Sequence, residues 1–169
     1  MITRHPVARL IIALTLCLSA GYADLTFFVP AIPSWYGPLV KPSFIPPVSI
    51  IYYGIIAISL LLAFCLYSIW NSAQKNKEAR LAVWLFIIGL FLNVAWFFVF
   101  FRAESVFFSM VVMAVLLTVV VCTMYQSLRS AVLSVLFQIP YLVVLLAVTY
   151  ATIMIYMTNP DLPLLKIVF

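Results

Sequence analysis

The chain has 169 residues, of which 67% are hydrophobic and only 8% charged, whereas soluble domains carry about 25% charged residues. Too few charges remain to keep so much apolar surface in water, and an open sheet cannot satisfy its backbone in lipid. A soluble domain is therefore excluded, and the expectation is one all-α integral membrane domain, residues 1–169, with room for five helices at roughly 20 residues each. The net charge of +5 is not a nucleic-acid signal, because the nine Lys and Arg lie scattered at the ends of apolar runs, where they anchor and orient helices.

The first apolar run, 10–29, follows Arg4, His5 and Arg9. Its basic start and the small residues Ser19, Ala20 and Ala23 fit a signal peptide, but the apolar character continues through Phe27, Phe28 and Val29. That is the length of a span, so the run reads as a retained helix. Asp24 is its one acid. Charge in lipid is costly, so Asp24 either turns toward protein and water or lies at the helix end among the headgroups.

Residues 30–47, PAIPSWYGPLVKPSFIPP, hold six of the chain's ten prolines. Proline fixes φ and removes a donor, so a continuous helix is not expected here. The segment is nevertheless rich in aromatic and apolar groups and poor in Gly and Ser, unlike a flexible linker. It reads as an ordered loop between the first and second helices, a lid over the mouth of a helical bundle.

The second run, 48–70, opens after Pro46 and Pro47 and closes at Trp70, ahead of a polar loop with Lys75, Lys77 and Arg80. The third, 81–101, is apolar except for Asn93. Gly89, Asn93, Trp96 and Phe100 share one helical face, which is expected to turn into the bundle; there Asn93 either anchors a ligand or only bonds a neighbouring helix. The fourth run, 105–124, offers Ser109, Thr118 and Cys122 as landmarks and reads as a packing or lipid-facing helix. The fifth, 132–156, is interrupted by Gln138 and Pro140, and the proline is expected to kink it.

Cys17, Cys65 and Cys122 stand alone inside apolar runs and read as three buried thiols. Arg4, Arg9, Lys75, Lys77, Arg80 and Arg129 fall on one side of five spans, against Lys41, Arg102 and Lys166 on the other. This balance places the N-terminus inside and the lid and C-terminus outside. The Val121, Tyr125 and Arg129 spacing of a sterol motif arises too often by chance to carry weight.

Trp35-Tyr36, Leu39, Lys41-Pro42 and Pro46-Pro47 form a WYxxLxKPxxxPP loop; Asn93, Trp96 and Phe100-Phe101 form an NxxWxxxFF helix; Pro140-Tyr141 is a PY pair in the last helix. Together they resemble the TspO/translocator protein family (tryptophan-rich sensory proteins, also called peripheral benzodiazepine receptors) over essentially the whole chain. The resemblance implies a five-helix bundle, a homodimer, and a pocket under the lid for a tetrapyrrole or another hydrophobic molecule. It points to Trp35, Tyr36, Phe44, Asn93, Trp96, Phe100 and Tyr141 as ligand-binding residues, and to Lys41, Pro42, Pro46 and Pro47 as lid residues.

The chain reads as a divergent member. Ile55 and Val144 stand where the family has Trp, Ser59 where it has Tyr, Thr152 where it has Asn, and Phe44 where it mostly has Trp. The lost tryptophans are those associated with light-dependent porphyrin breakdown in the family, and Tyr52 and Tyr53 are candidates to refill the space. A flat hydrophobic ligand wants aromatic walls and a few polar anchors. The aliphatic Ile51, Ile55, Val144 and Val148 on the opposite wall suit a lipid-like or sterol-like molecule better than a stacked macrocycle. Lys41 at the mouth would either meet a ligand carboxylate or simply be solvated.

No residue set supports acid–base or nucleophilic chemistry, because His5 is the one histidine and the four acids are dispersed. Neither a catalytic residue, a metal nor a cofactor is expected, and the expected partners are a hydrophobic small molecule and membrane lipids. The leading reading is a receptor or carrier. A structural or assembly protein and a porphyrin-degrading enzyme follow it, and an active transporter lacks a legible intramembrane proton relay.

Overall fold

The computed structural model describes residues 5–74, 76–160 and 162; Arg4, Lys75 and Lys166, which entered the charge balance, lie outside them. Five helices long and apolar enough to cross a membrane are present among the described residues. They are α1 (Pro6–Ala31), α2 (Val48–Ala73), α3 (Lys77–Phe97), α4 (Val106–Ser130) and α5 (Val132–Thr158). The helices pack as a ring in the order α1, α2, α5, α4, α3, with α3 closing onto α1 and also touching α2 across the middle.

Local chemistry sets the helix ends. Pro6 occupies the first turn of α1, where its missing N–H costs nothing. Asn76 caps α3 by accepting from the Glu78 N–H at 2.9 Å, and Ser105 caps α4 by accepting from the Phe108 N–H at 3.4 Å.

The expectation that helix stops where the prolines begin is corrected. α1 runs through Pro30 and continues as a π-helical turn from Ile32 to Tyr36. Pro33 cannot serve the carbonyl of Val29, which instead accepts from the Ile32 N–H. The Ile32 carbonyl accepts from the Gly37 N–H at 2.7 Å, an i→i+5 bond that widens the turn. Both prolines face outward, while Trp35 and Tyr36 turn inward and are buried. The non-helical lid is therefore shorter than 30–47 and begins at Gly37.

That lid is ordered, as expected, by specific bonds. The Lys41 ammonium donates to the carbonyls of Tyr36 (2.7 Å), Leu39 (2.8 Å) and Gly37 (2.9 Å) and sits 4.8 Å over the Tyr36 ring. Desolvation draws its pKa below the usual lysine value. The Asn159 amide at the end of α5 pairs with the lid backbone. It accepts from the Val40 N–H and donates to the Val40 carbonyl, both at 3.0 Å.

Two close approaches fix the bundle differently. Gly21 on α1 lies against Ser59 on α2, and a Cβ at position 21 would run into the Ser59 hydroxyl. Gly89 on α3 is buried, but a Cβ there would meet Val119 at an ordinary 3.6 Å. α4, which offers so few sequence landmarks, is threaded by a buried seam of Val106, Ser109, Met113, Leu116, Val120, Thr123 and Ser127. Cys17 and Cys65 are buried as expected, whereas Cys122 is exposed. It falls beside this seam, on the outward face, which corrects the expectation of three buried thiols. Pro140 likewise faces outward within a continuous α5.

Candidate functional site

A cavity of about 390 Å³ lies in the bundle beneath the lid, bounded by α1, α2, α3 and α5, with Met113 contributed by α4. Its size is at the lower end of the range for small-molecule sites, roughly 300–1,000 Å³. One wall is aromatic. Trp96 stacks on Phe100 at 5.3 Å with an interplanar angle of 18°, and Phe101 meets Phe100 edge-on at 4.8 Å. Adjacent residues of a regular α-helix do not share a face. Here α3 ends in a π-helical turn from Phe98 to Arg102, and the i→i+5 repeat keeps both Phe100 and Phe101 buried on the inward side.

The opposite wall is aliphatic, and the two positions that lack the family's tryptophans, Ile55 and Val144, both line the cavity. Tyr52 and Tyr53 do not refill it. They pair edge-on with each other at 5.5 Å and are exposed on the outside of α2. Gly54 does line it, and a Cβ built there would have no neighbour within 4 Å.

Three polar side chains from three helices converge on this space. The Tyr141 hydroxyl on α5 donates to Asn93 Oδ1 on α3 at 3.1 Å, and Asn93 Nδ2 donates to Asp24 Oδ2 on α1 at 2.8 Å. The two bonds fix the Asn93 amide and leave Asp24 as the terminal acceptor. Asp24 thus turns into the bundle and is only 3% exposed, which decides between its two readings. The two aliphatic hydroxyls in the lining are occupied by their own helices: Ser59 donates to the Ile55 carbonyl and Thr152 to the Val148 carbonyl, both at 2.8 Å. Asp24 Oδ1, Trp96 Nε1 and Trp35 Nε1 are buried without a hydrogen-bond partner among the described residues.

Of the residues singled out from sequence, Tyr36, Phe44, Asn93, Trp96, Phe100 and Tyr141 line the cavity. Trp35 does not; it lies behind the aromatic wall, edge-on to Phe100 at 6.5 Å. Among the lid residues Pro46 reaches the lining, while Lys41, Pro42 and Pro47 do not. Lys41 spends its donors on loop carbonyls, so it acts as an internal clamp of the lid. Phe44 lines the cavity from the lid and stacks on Tyr150 of α5 at 5.4 Å. Sequence reasoning left Asp24 undecided and passed over Phe28 and Phe97; a helical projection pairing Asp24 with Gly21 and Phe28 would have carried the signal, since these three share a face of α1 and all line the cavity.

Comparison with known proteins agrees with this architecture. The family model described as TspO/MBR family matches residues 12–157. The chain is also 30% identical over 155 residues to the tryptophan-rich protein TspO of Chlorobaculum tepidum, covering 91% of this chain and 98% of that protein. Neither name is that of an enzyme. On both grounds the chain belongs to the TspO/MBR family.

Proposed function

We propose that this protein is a membrane receptor or carrier that binds a hydrophobic small molecule in the cavity under the lid. The observation that carries the reading is the union of an apolar cavity of about 390 Å³ with one convergent polar chain, Tyr141–Asn93–Asp24. Apolar walls supply affinity in proportion to buried area, and a few placed polar groups supply orientation. With aliphatic side chains at positions 55 and 144, a lipid-like or sterol-like ligand matches the walls better than a tetrapyrrole held between two aromatic planes. The missing tryptophans also argue against photochemical porphyrin breakdown, so the proposed role is not enzymatic. In this reading the N-terminus is inside, the lid and C-terminus outside, and the working unit is a homodimer.

A second reading, that of a scaffold or assembly protein, draws support from the same polar chain, because it ties α1, α3 and α5 together whether or not a ligand is present. Tryptophan fluorescence in lipid nanodiscs separates the two. Saturable quenching by protoporphyrin IX, or saturable energy transfer to dehydroergosterol, that weakens in both Trp96→Phe and Asn93→Ala is the expected result. Transfer to the sterol should exceed quenching by the porphyrin. No saturable signal from either molecule, in folded protein, sinks the binding reading and leaves the scaffold.

A further inference from the structure

The polar chain in the cavity has a direction, and the direction selects a ligand. Every proton in it is donated toward Asp24: from the Tyr141 hydroxyl to Asn93, and from the Asn93 amide to Asp24 Oδ2. The chain ends on Asp24 Oδ1, buried and without a partner among the described residues. No Lys, Arg or His is among the described residues that line the cavity, so those residues supply no counter-charge there. A buried carboxylate left unpaired is among the most costly arrangements in a low-dielectric interior; it is relieved either by taking up a proton or by a hydrogen-bonded cation, and a bound cation supplies the second route. A ligand carboxylate placed beside Asp24 would face like charge, with no cation among the described lining residues to offset it. We propose that the cavity takes an apolar ligand carrying a protonated amine, which donates to Asp24 Oδ1. The same ligand can offer an acceptor to the second unpartnered lining group, the Trp96 indole N–H.

This proposal rests on the cavity being a ligand site, and its test separates the two claims. Three pyrene derivatives of one shape serve as probes: 1-pyrenemethylamine, 1-methylpyrene and 1-pyrenecarboxylate. Tryptophan-to-pyrene energy transfer is titrated at neutral pH in phosphatidylcholine nanodiscs, whose zwitterionic surface does not concentrate the amine. The amine should bind about tenfold or more tightly than 1-methylpyrene, as a charge-assisted hydrogen bond in a dry site allows, and the carboxylate more weakly than either. In Asp24→Asn the ratio of amine to methyl affinity should fall to near one. Equal affinities for the amine and 1-methylpyrene in the parent protein would overturn the amine assignment while leaving the cavity reading in place. A ratio that survives Asp24→Asn would overturn it as well. Saturation by none of the three would remove the cavity reading and this one with it.

Discussion

The bundle contains two clusters of buried polar side chains, and they solve the problem of polarity in a membrane in opposite ways. In one, Gln138 Nε2 on α5 donates to Ser127 Oγ on α4 at 3.3 Å and to the carbonyl of Ser134 at 3.4 Å. The void beside it is about 20 Å³, room for roughly one water. In the other, Tyr141, Asn93 and Asp24 border a space of about 390 Å³ and end on an acceptor without a partner among the described residues. Gln138 also meets the Cys65 thiol on α2, so the first cluster is closed on itself and joins three helices. The second is open at one end, and Tyr141 borders both spaces. Polarity inside the membrane is therefore not in itself the mark of a site; an unmet polar atom beside unfilled volume is.

Variants can break this contrast. The largest effect is expected from Asn93→Ala, which strips the partner from both Asp24 Oδ2 and the Tyr141 hydroxyl. Each orphaned buried group costs about 1–3 kcal/mol, so both the thermal midpoint in detergent and ligand saturation should fall. Gly54→Leu should separate binding from folding. Its side chain grows into empty cavity rather than into a neighbour, so ligand affinity should drop about tenfold or more while the midpoint holds or rises, by up to about 1 kcal/mol of helix propensity. A lowered midpoint with unchanged affinity would mean that position 54 is not part of the ligand's volume.

The closed cluster should respond in the reverse sense. Gln138→Leu combined with Ser127→Ala replaces both members of the Gln138–Ser127 bond by apolar groups and leaves only the weakly polar Cys65 thiol, so stability should change by less than about 1.5 kcal/mol and ligand titrations should superimpose on the parent's. The smallest effect belongs to Gly89→Ala. The new methyl reaches ordinary contact with Val119, and the gain should be at most about 1 kcal/mol in unfolding by denaturing detergent. The same substitution at Gly21, where the methyl strikes Ser59, should instead destabilise by about 1–3 kcal/mol.

Much of the molecule was legible beforehand because lipid imposes simple rules. Long apolar runs bounded by charge must be helices, and the inward face of α3 could be read from Gly89, Asn93, Trp96 and Phe100 at helical spacing. Which way α4 faces could not be read from hydrophobicity, since lipid and core are equally apolar. Its seam is marked instead by the small polar residues Ser109, Thr123 and Ser127, a weaker signal. The prolines at 30 and 33 misled for a related reason. Local rules assign a break to each, while the π-helical turn, with both rings outward, lets the helix pass.

The sequence by itself determined the class, the number of spans, the ordered lid and the identity of six lining residues, because these follow from composition, spacing and motif. Only the tertiary structure decided that Asp24 lines the cavity, that Lys41 clamps the lid, that Trp35 lies behind the wall and that Tyr52 and Tyr53 leave the vacated volume unfilled. Those outcomes depend on rotation and depth of one helix against another, set by contacts such as Gly21 on Ser59 that lie far apart in the chain.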